Sequence, residues 1–495
     1  MEHFDVVIVG AGLSGIGAAW HLQTLCPNKR YVILEGRDAI GGTWDLFRYP
    51  GIRSDSDMYT LGYRFKPWRN AKAIADGPSI RAYVRETASE NGIDRHIRFR
   101  HLVKRANWSS ADARWTVEAE VDGAVARFTC SFLFMCSGYY SYEGGHDPDF
   151  AGRADFRGPI VHPQKWPDHL DYKGKRVVVI GSGATAVTLV PEMAKEAALV
   201  TMLQRSPTYV VSRPAEDRMA NWLRRNISAR VAYAVTRWRN VLLGMWFFNL
   251  ARKKPEKTKK GLIDLVRKEL PGYDVDTHFT PRYNPWDQRL CLVPDSDLFE
   301  AIREGRAAVV TGEIDRFTAG GIRLRNGQEI AADIIVTATG LKLILLGGMQ
   351  VSIDGVRKNM AQTMTYKGMM YSDVPNLASC FGYTNASWTL KCDLTCEYVC
   401  RLLNHMDRNG YAVAMPRRDP SVGEAPWIDF SSGYIQRALD ILPKQGNRRP
   451  WKLYQNYVLD LATLRFGKVD DGTMHFAKAP AKAAEPARAP AMAAE

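Results

Sequence analysis

The amino-acid sequence predicts an α/β protein made of two doubly wound, parallel-sheet units interrupted by a helical insertion. Three observations carry this reading. A short apolar run, Val6-Val7-Ile8-Val9, ends at a glycine turn, and a helix from Gly15 to about Leu25 and a second apolar run, Tyr31 to Leu34, follow it; this is the strand–helix–strand pattern of a parallel sheet. The same succession returns about 170 residues later as Arg176 to Ile180, a glycine turn, a helix and Val200 to Leu203. Residues 215–287 then break the α/β rhythm and read as mostly helical.

The remaining elements fall in order around these. Trp115 to Val121 and Phe132 to Met135 read as strands that complete the first unit. Strands return after the insertion as Ala308 to Val310, Ile322 to Leu324 and Ile334 to Val336. From Ala477 the chain is Ala, Pro and Lys with almost no apolar bulk, so 477–495 is expected to be a disordered tail.

Bulk properties narrow the class. With 495 residues, 46% hydrophobic and 24% charged, the chain has an ordinary globular composition and a core large enough to need no staples. Its 8 cysteines are scattered, without a thioredoxin-like CxxC, which fits a reducing compartment. No basic leader precedes the first strand, and the longest apolar run, Val241 to Leu250, is too short to span a bilayer, so a cytoplasmic protein is expected. The net charge is +14, and residues 215–270 supply +9 of it, with fourteen Lys/Arg against five Asp/Glu. Such a local block points to one surface, a candidate membrane face, and not to a nucleic-acid role.

The two glycine turns carry the first chemistry. Gly10-Ala11-Gly12-Leu13-Ser14-Gly15 is GxGxxG between a strand and a helix. Gly10 permits the tight turn, Gly12 lets the backbone approach a pyrophosphate, and Gly15 lets helix and strand pack closely. The helix N-terminus offers free N–H groups to phosphate, and Glu35, twenty residues on, can accept hydrogen bonds from ribose hydroxyls. The N-terminal position and the following Gly41-Gly42 resemble the flavin domain of two-dinucleotide oxidoreductases, which implies FAD. Gly181-Ser182-Gly183-Ala184-Thr185-Ala186 repeats the turn with alanine at the third glycine. The next strand ends in Gln204-Arg205-Ser206, where an NAD site would place an acid. Arg205 can pair with a 2′-phosphate, and Ser206 and Thr208 can add hydroxyl donors, so NADPH is expected over NADH.

Two further stretches resemble class B flavoprotein monooxygenases of the Baeyer–Villiger type. Phe156 to Pro167 fits FxGxxxHxxxWP through Phe156, Gly158, His162, Trp166 and Pro167, and Gly41 to Asp55 fits GGxWxxxxYPGxxxD. The resemblance runs to about residue 476 and is strongest toward mycobacterial and other actinobacterial members. It implies two Rossmann-like dinucleotide-binding domains, for FAD and NADP. The expected division is 1–143 and 340–476 for the FAD-binding domain, 144–214 and 288–339 for the NADP-binding domain, and 215–287 for the insertion. It also implies a flavin C4a-peroxide that converts apolar ketones to esters or lactones and oxidises sulfur compounds. By the same resemblance Arg289 supplies a fixed positive charge beside the flavin, and Asp55 orients it, with Asp57 the alternative acid. Gln288 departs from the family, where Lys often assists 2′-phosphate binding; NADPH preference then rests more heavily on Arg205. His162 and Trp166 are expected to hold a linker that senses NADP, with direct chemistry by His162 the other reading. Gly382 to Trp388 resembles the late flavin-contacting stretch, and Trp388 either lines the site or packs in the core. The expected cofactor-binding set is Gly10, Gly12, Ser14, Gly15, Glu35, Gly42, Thr43, Trp44, Asp55, Gly181, Gly183, Ala184, Thr185, Arg205, Ser206 and Trp388.

Two other patterns compete with this reading. Cys392, Cys396 and Cys400 share one face of a predicted helix, but no fourth ligand is near in sequence, and no metal is expected. In 219–254, Leu223, Ile227, Val231, Val235, Trp238, Leu242 and Trp246 recur at three- or four-residue spacing, while Arg224, Arg225, Arg237 and Arg239 fall off that stripe. This reads as one basic amphipathic helix that either packs on its own protein or makes peripheral contact with an anionic membrane or a partner. Two rival functions remain at this level: a heteroatom oxygenase that handles ketones poorly, and a flavin protein that senses NADPH at a membrane surface without oxygenating anything.

Overall fold

A computed structural model describes residues 1–428 and 430–480. The first large sheet centres on Glu2–Val9, which pairs in parallel with Tyr31–Leu34 on one side and Ala124–Met135 on the other. Tyr31–Leu34 is buried along its whole length, as a strand covered on both faces must be. Alternate residues go to opposite layers. Val6, Ile8, Ile33 and Phe132 join a core with the helices Leu13–Leu25 and Trp388–Asn409. Val7, Val9, Val32 and Leu133 pack on Trp108 and Trp115 from the antiparallel strands Leu102–Ser109 and Arg114–Val121. Leu377–Ser379, from late in the chain, adds in parallel to Ala124–Met135. The first unit is thus closed by sequence from both ends of the protein.

The second sheet has five parallel strands in the order Ala307–Thr311, Leu199–Gln204, Arg176–Ile180, Ile334–Thr337, Ile160–Val161. Val177 and Val179 face a layer that includes the helix Ala184–Met193, and Val178 and Ile180 face the opposite layer. Two chain crossings join the units. They run antiparallel, with the Ser141 N–H donating to the Lys342 carbonyl (2.9 Å) and the Ile344 N–H to that of Tyr139 (3.0 Å).

The helical insertion is bracketed by Val210–Arg213 and Cys291–Pro294, which pair in parallel. The expected single helix over 219–254 is two: Arg218–Asn226 and Ala229–Lys253, separated where Ile227 and Ser228 take extended backbone. The expected apolar stripe is also turned outward. Only Leu223 of that set is buried; Ile227, Val231, Val235, Trp238, Leu242 and Trp246 are exposed. The inward face of the long helix carries Ala232, Tyr233, Thr236, Val241 and Arg237. Arg237 decides the orientation. Its Nη1 donates to the carbonyls of Tyr59 and Gly62, both at 2.7 Å, and Nη2 lies 3.4 Å from a carboxylate oxygen of Asp393. Both terminal nitrogens of this buried guanidinium find partners, while its Nε has none, and turning the helix to bury the stripe would strand the whole group.

The expected tail overlaps the last strand by one residue, because Ala477 ends the strand Met474–Ala477, paired with Val413–Pro416. Residues 481–495 lie outside the described residues. No helix among the described residues is long and apolar enough to cross a membrane.

Candidate active site

The C-terminal ends of Glu2–Val9 and Arg176–Ile180 open onto one cleft of about 1090 Å³, the place where open α/β sheets bind ligands. Both glycine turns are shaped by backbone proximity. Gly10 has φ +105°, and a Cβ there would sit 2.6 Å from the Cys136 carbonyl oxygen. Gly181 has φ +137°, with the Ala338 carbonyl oxygen 2.4 Å from a Cβ position. The helices that follow begin at Gly12 and Gly183, and neither N-terminus has a side-chain cap. Their free N–H groups and positive helix ends therefore face the cleft, which suits two phosphate groups.

On the first side, Glu35 is 5% exposed. One carboxylate oxygen accepts from the Ala11 N–H (2.6 Å) and the other from the Arg37 N–H (2.9 Å). Burial lifts its pKa despite those donors. Gly42 lies against Gly12, a Cβ on Gly42 reaching the Gly12 Cα at 3.0 Å, so the two backbones make a floor without side chains. Thr43, Trp44 and Ser14 line the same wall. Gly15 does not line the cleft but sits behind the turn, where its expected part in packing helix on strand places it. A Cβ there would lie 1.8 Å from the Gly10 carbonyl oxygen, so its work is close packing behind the turn.

The chain brings Arg289 and Asp55 together, 234 residues apart in sequence, with Nη1 3.3 Å from Oδ2. Asp57 is not the partner. It caps the short helix Met58–Leu61 by accepting from the Thr60 N–H (3.0 Å) and also accepts from Asn240 (2.9 Å). Arg289 has protein around it but turns toward the cleft, which leaves its side chain 37% accessible. Burial disfavours its charge, but Tyr139 and Asp55 outweigh that, and its pKa is raised. Its Nε is buried without a partner. Trp388 resolves in favour of both expected roles: it lines the cleft, packs on the core, and donates from Nε1 to Ser14 Oγ at 2.8 Å.

On the second side, Gly183 and Ala184 are exposed to the cleft, and Thr185, Arg205, Ser206 and Gln288 line it too. Arg205 forms no ion pair among the described residues, so its charge is free for a ligand. Thr208 is already engaged with the Tyr283 hydroxyl at 2.9 Å.

The FxGxxxHxxxWP stretch lies outside the cleft wall. Phe156 is buried beside Phe317 and Ile322. Gly158 is forced by space, since a Cβ would sit 2.1 Å from the Asp333 carbonyl oxygen. His162 Nδ1 accepts from the Gln164 N–H (3.2 Å), and its ring fills the space over Gly145 beside Gly340. Burial lowers its pKa, which favours the neutral ring. Trp166 packs on the core of the second unit. Gln164 donates to the Ser141 carbonyl at 2.5 Å. The stretch thus grips both chain crossings, and His162 itself does not line the cleft.

Sequence reasoning missed several wall residues. Tyr139 stacks on Trp388, with ring centroids 5.0 Å apart, and its hydroxyl meets that of Tyr140 at 2.7 Å. Tyr434 joins this aromatic wall from a segment that carries no motif. Tyr139 was findable, because it follows the C-terminal end of a parallel strand. Asp45 was missed inside a recognised motif. It is fully buried, with Arg37 at 2.6 Å and Arg81 at 3.3 Å, and braces the Gly41-Gly42 turn. The cysteines of the helix Trp388–Asn409 are buried and free, and the described residues hold no cluster of metal-ligating side chains.

Comparison with known proteins agrees with this architecture. A family profile described as "Flavin-binding monooxygenase-like" matches residues 73–246, and one for an NAD(P)-binding Rossmann-like domain matches residues 8–76. The FAD-containing monooxygenase EthA of Mycobacterium tuberculosis is 58% identical over 473 residues, covering 95% of this chain and 97% of that protein. Among solved structures, an oxidised steroid monooxygenase bound to NADP superposes with a TM-score of 0.76 at 22% identity, covering 96% of this chain and 99% of the other. Cyclohexanone monooxygenase from Rhodococcus sp. Phi1, bound to NADP+, gives 0.70 at 20% identity, covering 85% and 87%. The two structures establish likeness of fold, and the sequence relative establishes kinship: the chain belongs to the flavin-binding monooxygenases, a family of oxidoreductases.

Proposed function

We propose that this protein uses FAD, NADPH and O₂ to insert one oxygen atom into apolar ketones, giving esters or lactones, and to oxidise sulfur in small molecules. The balance is ketone, O₂, NADPH and a proton going to ester, NADP⁺ and water. The observation that carries the reading is the Arg289–Asp55 pair set on the wall of a cleft that both glycine turns share. We assign residues 1–143 and 340–476 to FAD binding, 144–214 and 288–339 to NADP binding, and 215–287 to the insertion.

Bound FAD, once reduced by NADPH, supplies activated oxygen from O₂. The chain's own residues do the rest. The bare backbone at Gly10, Gly12 and Gly42 admits one pyrophosphate, and Glu35 accepts from ribose hydroxyls. Gly183, Ala184 and Thr185 hold the second pyrophosphate, and Arg205 with Ser206 binds the 2′-phosphate. Arg289 keeps a cation where negative charge gathers on oxygen as it moves to the carbonyl carbon, and Asp55 fixes its direction. Tyr139 and Trp388, stacked together, exclude water from that point.

The test is incubation with NADPH, ¹⁸O₂ and either a cyclic ketone or a thioether, followed by mass spectrometry. One ¹⁸O in the lactone and one in the sulfoxide is the expected outcome. Sulfoxide without any ester or lactone, across a panel of apolar ketones, would overturn the ketone half of the proposal.

A further inference from the structure

The long helix Ala229–Lys253 turns its apolar stripe to solvent. Val231, Val235, Trp238, Leu242 and Trp246 are between 41% and 63% exposed. They span about 22 Å along the axis at the α-helical rise. Trp222, on the preceding helix, is 58% exposed. Chance does not explain such a row, because soluble monomers rarely leave large contiguous apolar patches uncovered. Nor is the helix mis-seated, since its opposite face is pinned by the buried Arg237 and its carbonyl partners.

The charges at the two ends of the stripe identify what covers it. Arg225 and Arg230 stand exposed at one end and Lys253 and Lys254 at the other, and none forms an ion pair among the described residues. A second copy of this chain fits poorly. A two-fold contact would set the same patch against itself, bringing these cations together in a chain of net charge +14. An anionic bilayer answers both features: headgroups neutralise the basic ends, and tryptophan and leucine enter the boundary with the acyl chains. We infer that the helix Ala229–Lys253 docks this protein on an anionic membrane surface, lying in its plane.

The docking face ends at the cleft. Phe248 packs edge-on against Trp286 with ring centroids 5.6 Å apart, and Arg252 pairs with Asp287 at 3.0 Å. Trp286 and Asp287 stand three and two residues before Arg289. The membrane-facing helix is therefore tied directly to the loop that carries the cleft's cation. Docking itself does not depend on the chemistry proposed for the cleft.

The experiment is co-sedimentation of the full-length protein with sucrose-loaded vesicles. One set holds equal phosphatidylglycerol and phosphatidylcholine, and the other holds phosphatidylcholine alone. Sedimentation with the anionic vesicles, weakened by added salt, is expected. The triple variant Trp238→Ser/Leu242→Ser/Trp246→Ser should lower the partition coefficient about a hundredfold, because each side chain loses its transfer into the boundary. Its flavin content should be unchanged, and its thermal midpoint should fall only slightly, because Trp238 loses an edge contact with Tyr457 (ring centroids 5.7 Å apart) while Leu242 and Trp246 are more than half exposed. Arg225→Glu/Arg230→Glu should weaken binding to the anionic vesicles while keeping the stripe. Failure to sediment, or full binding by the triple variant, overturns the inference. So does a wild-type dimer that the triple variant converts to monomer without any vesicle binding, which would make a second copy the occupant.

Discussion

Replacing Arg289 by alanine separates two roles that one side chain could play. As a stability element, the Arg289–Asp55 contact is a 3.3 Å pair whose side chains are 37% and 40% exposed. Pairs of that kind contribute about 0–1 kcal/mol. As a charge beside the reacting oxygen, the same guanidinium should be worth about 3–4 kcal/mol in the oxygen-transfer step, the scale of a lost oxyanion donor. That is roughly a hundred- to thousandfold in rate. The variant should therefore fold with a thermal midpoint close to wild type, keep its flavin, and oxidise NADPH. What it should lose is product: nearly every electron pair should appear as H₂O₂ instead of ester or sulfoxide. Parallel assays of NADPH consumed, peroxide released and product formed measure this directly. Product formation within tenfold of wild type would refute the role given to Arg289. Loss of folding would instead show that the small value assigned to the ion pair was wrong.

Other substitutions test the remaining parts. Arg205→Ala should raise the KM for NADPH about ten- to a hundredfold, the worth of a charged hydrogen bond, with little change in kcat or in the KM for NADH; an equal effect on both nucleotides would remove Arg205 from 2′-phosphate recognition. Gly15→Ala and Gly183→Ala should behave oppositely. The first forces a Cβ to within 1.8 Å of the Gly10 carbonyl oxygen, whereas the second meets nothing within 4 Å. Thermal melting should thus fall sharply for Gly15→Ala only, while Gly183→Ala keeps its melting point and shows weakened NADPH binding. Asp45→Asn should destabilise by about 3 kcal/mol by stripping a buried carboxylate from its arginines. Burial alone would raise the Asp45 pKa, but Arg37, Arg48 and Arg81 draw it below its ordinary 3.8. Its stabilisation is therefore complete above about pH 4 and fades as pH falls through the lower folded value. Melting curves of wild type and variant should differ at pH 7 and draw together in stronger acid; a constant gap would argue against the ion-pair origin.

The parts legible in the sequence were those written in short spacings. Two glycine turns, each between an apolar strand and a helix, gave both parallel units, because backbone sterics tie Gly10 and Gly181 to that geometry. The Arg289–Asp55 meeting came from resemblance alone, since no local pattern links residues 234 positions apart. The helix Ala229–Lys253 was left open between packing on its own protein and docking elsewhere, for a physical reason. Apolar spacing predicts burial only when the opposite face is free to be wet, and here Arg237 finds carbonyls and Asp393 beneath the helix. A single buried cation with several partners outweighs the row Val231, Val235, Trp238, Leu242 and Trp246. Gly15 was legible as a packing residue, and a Cβ there would lie 1.8 Å from the Gly10 carbonyl oxygen. Tyr434 was unreadable, because it reaches the cleft from the one-turn helix Gly433–Gln436, too short to show a periodicity.

The central claim is that one cleft holds two dinucleotides in working contact, and anaerobic mixing of the purified protein with NADPH tests it most directly. The protein should carry bound FAD on purification, lose the visible absorbance of that flavin to one equivalent of NADPH, and keep NADP⁺ with the reduced protein through gel filtration. A protein that takes up FAD but is reduced only by dithionite, never by NADPH, would contradict it.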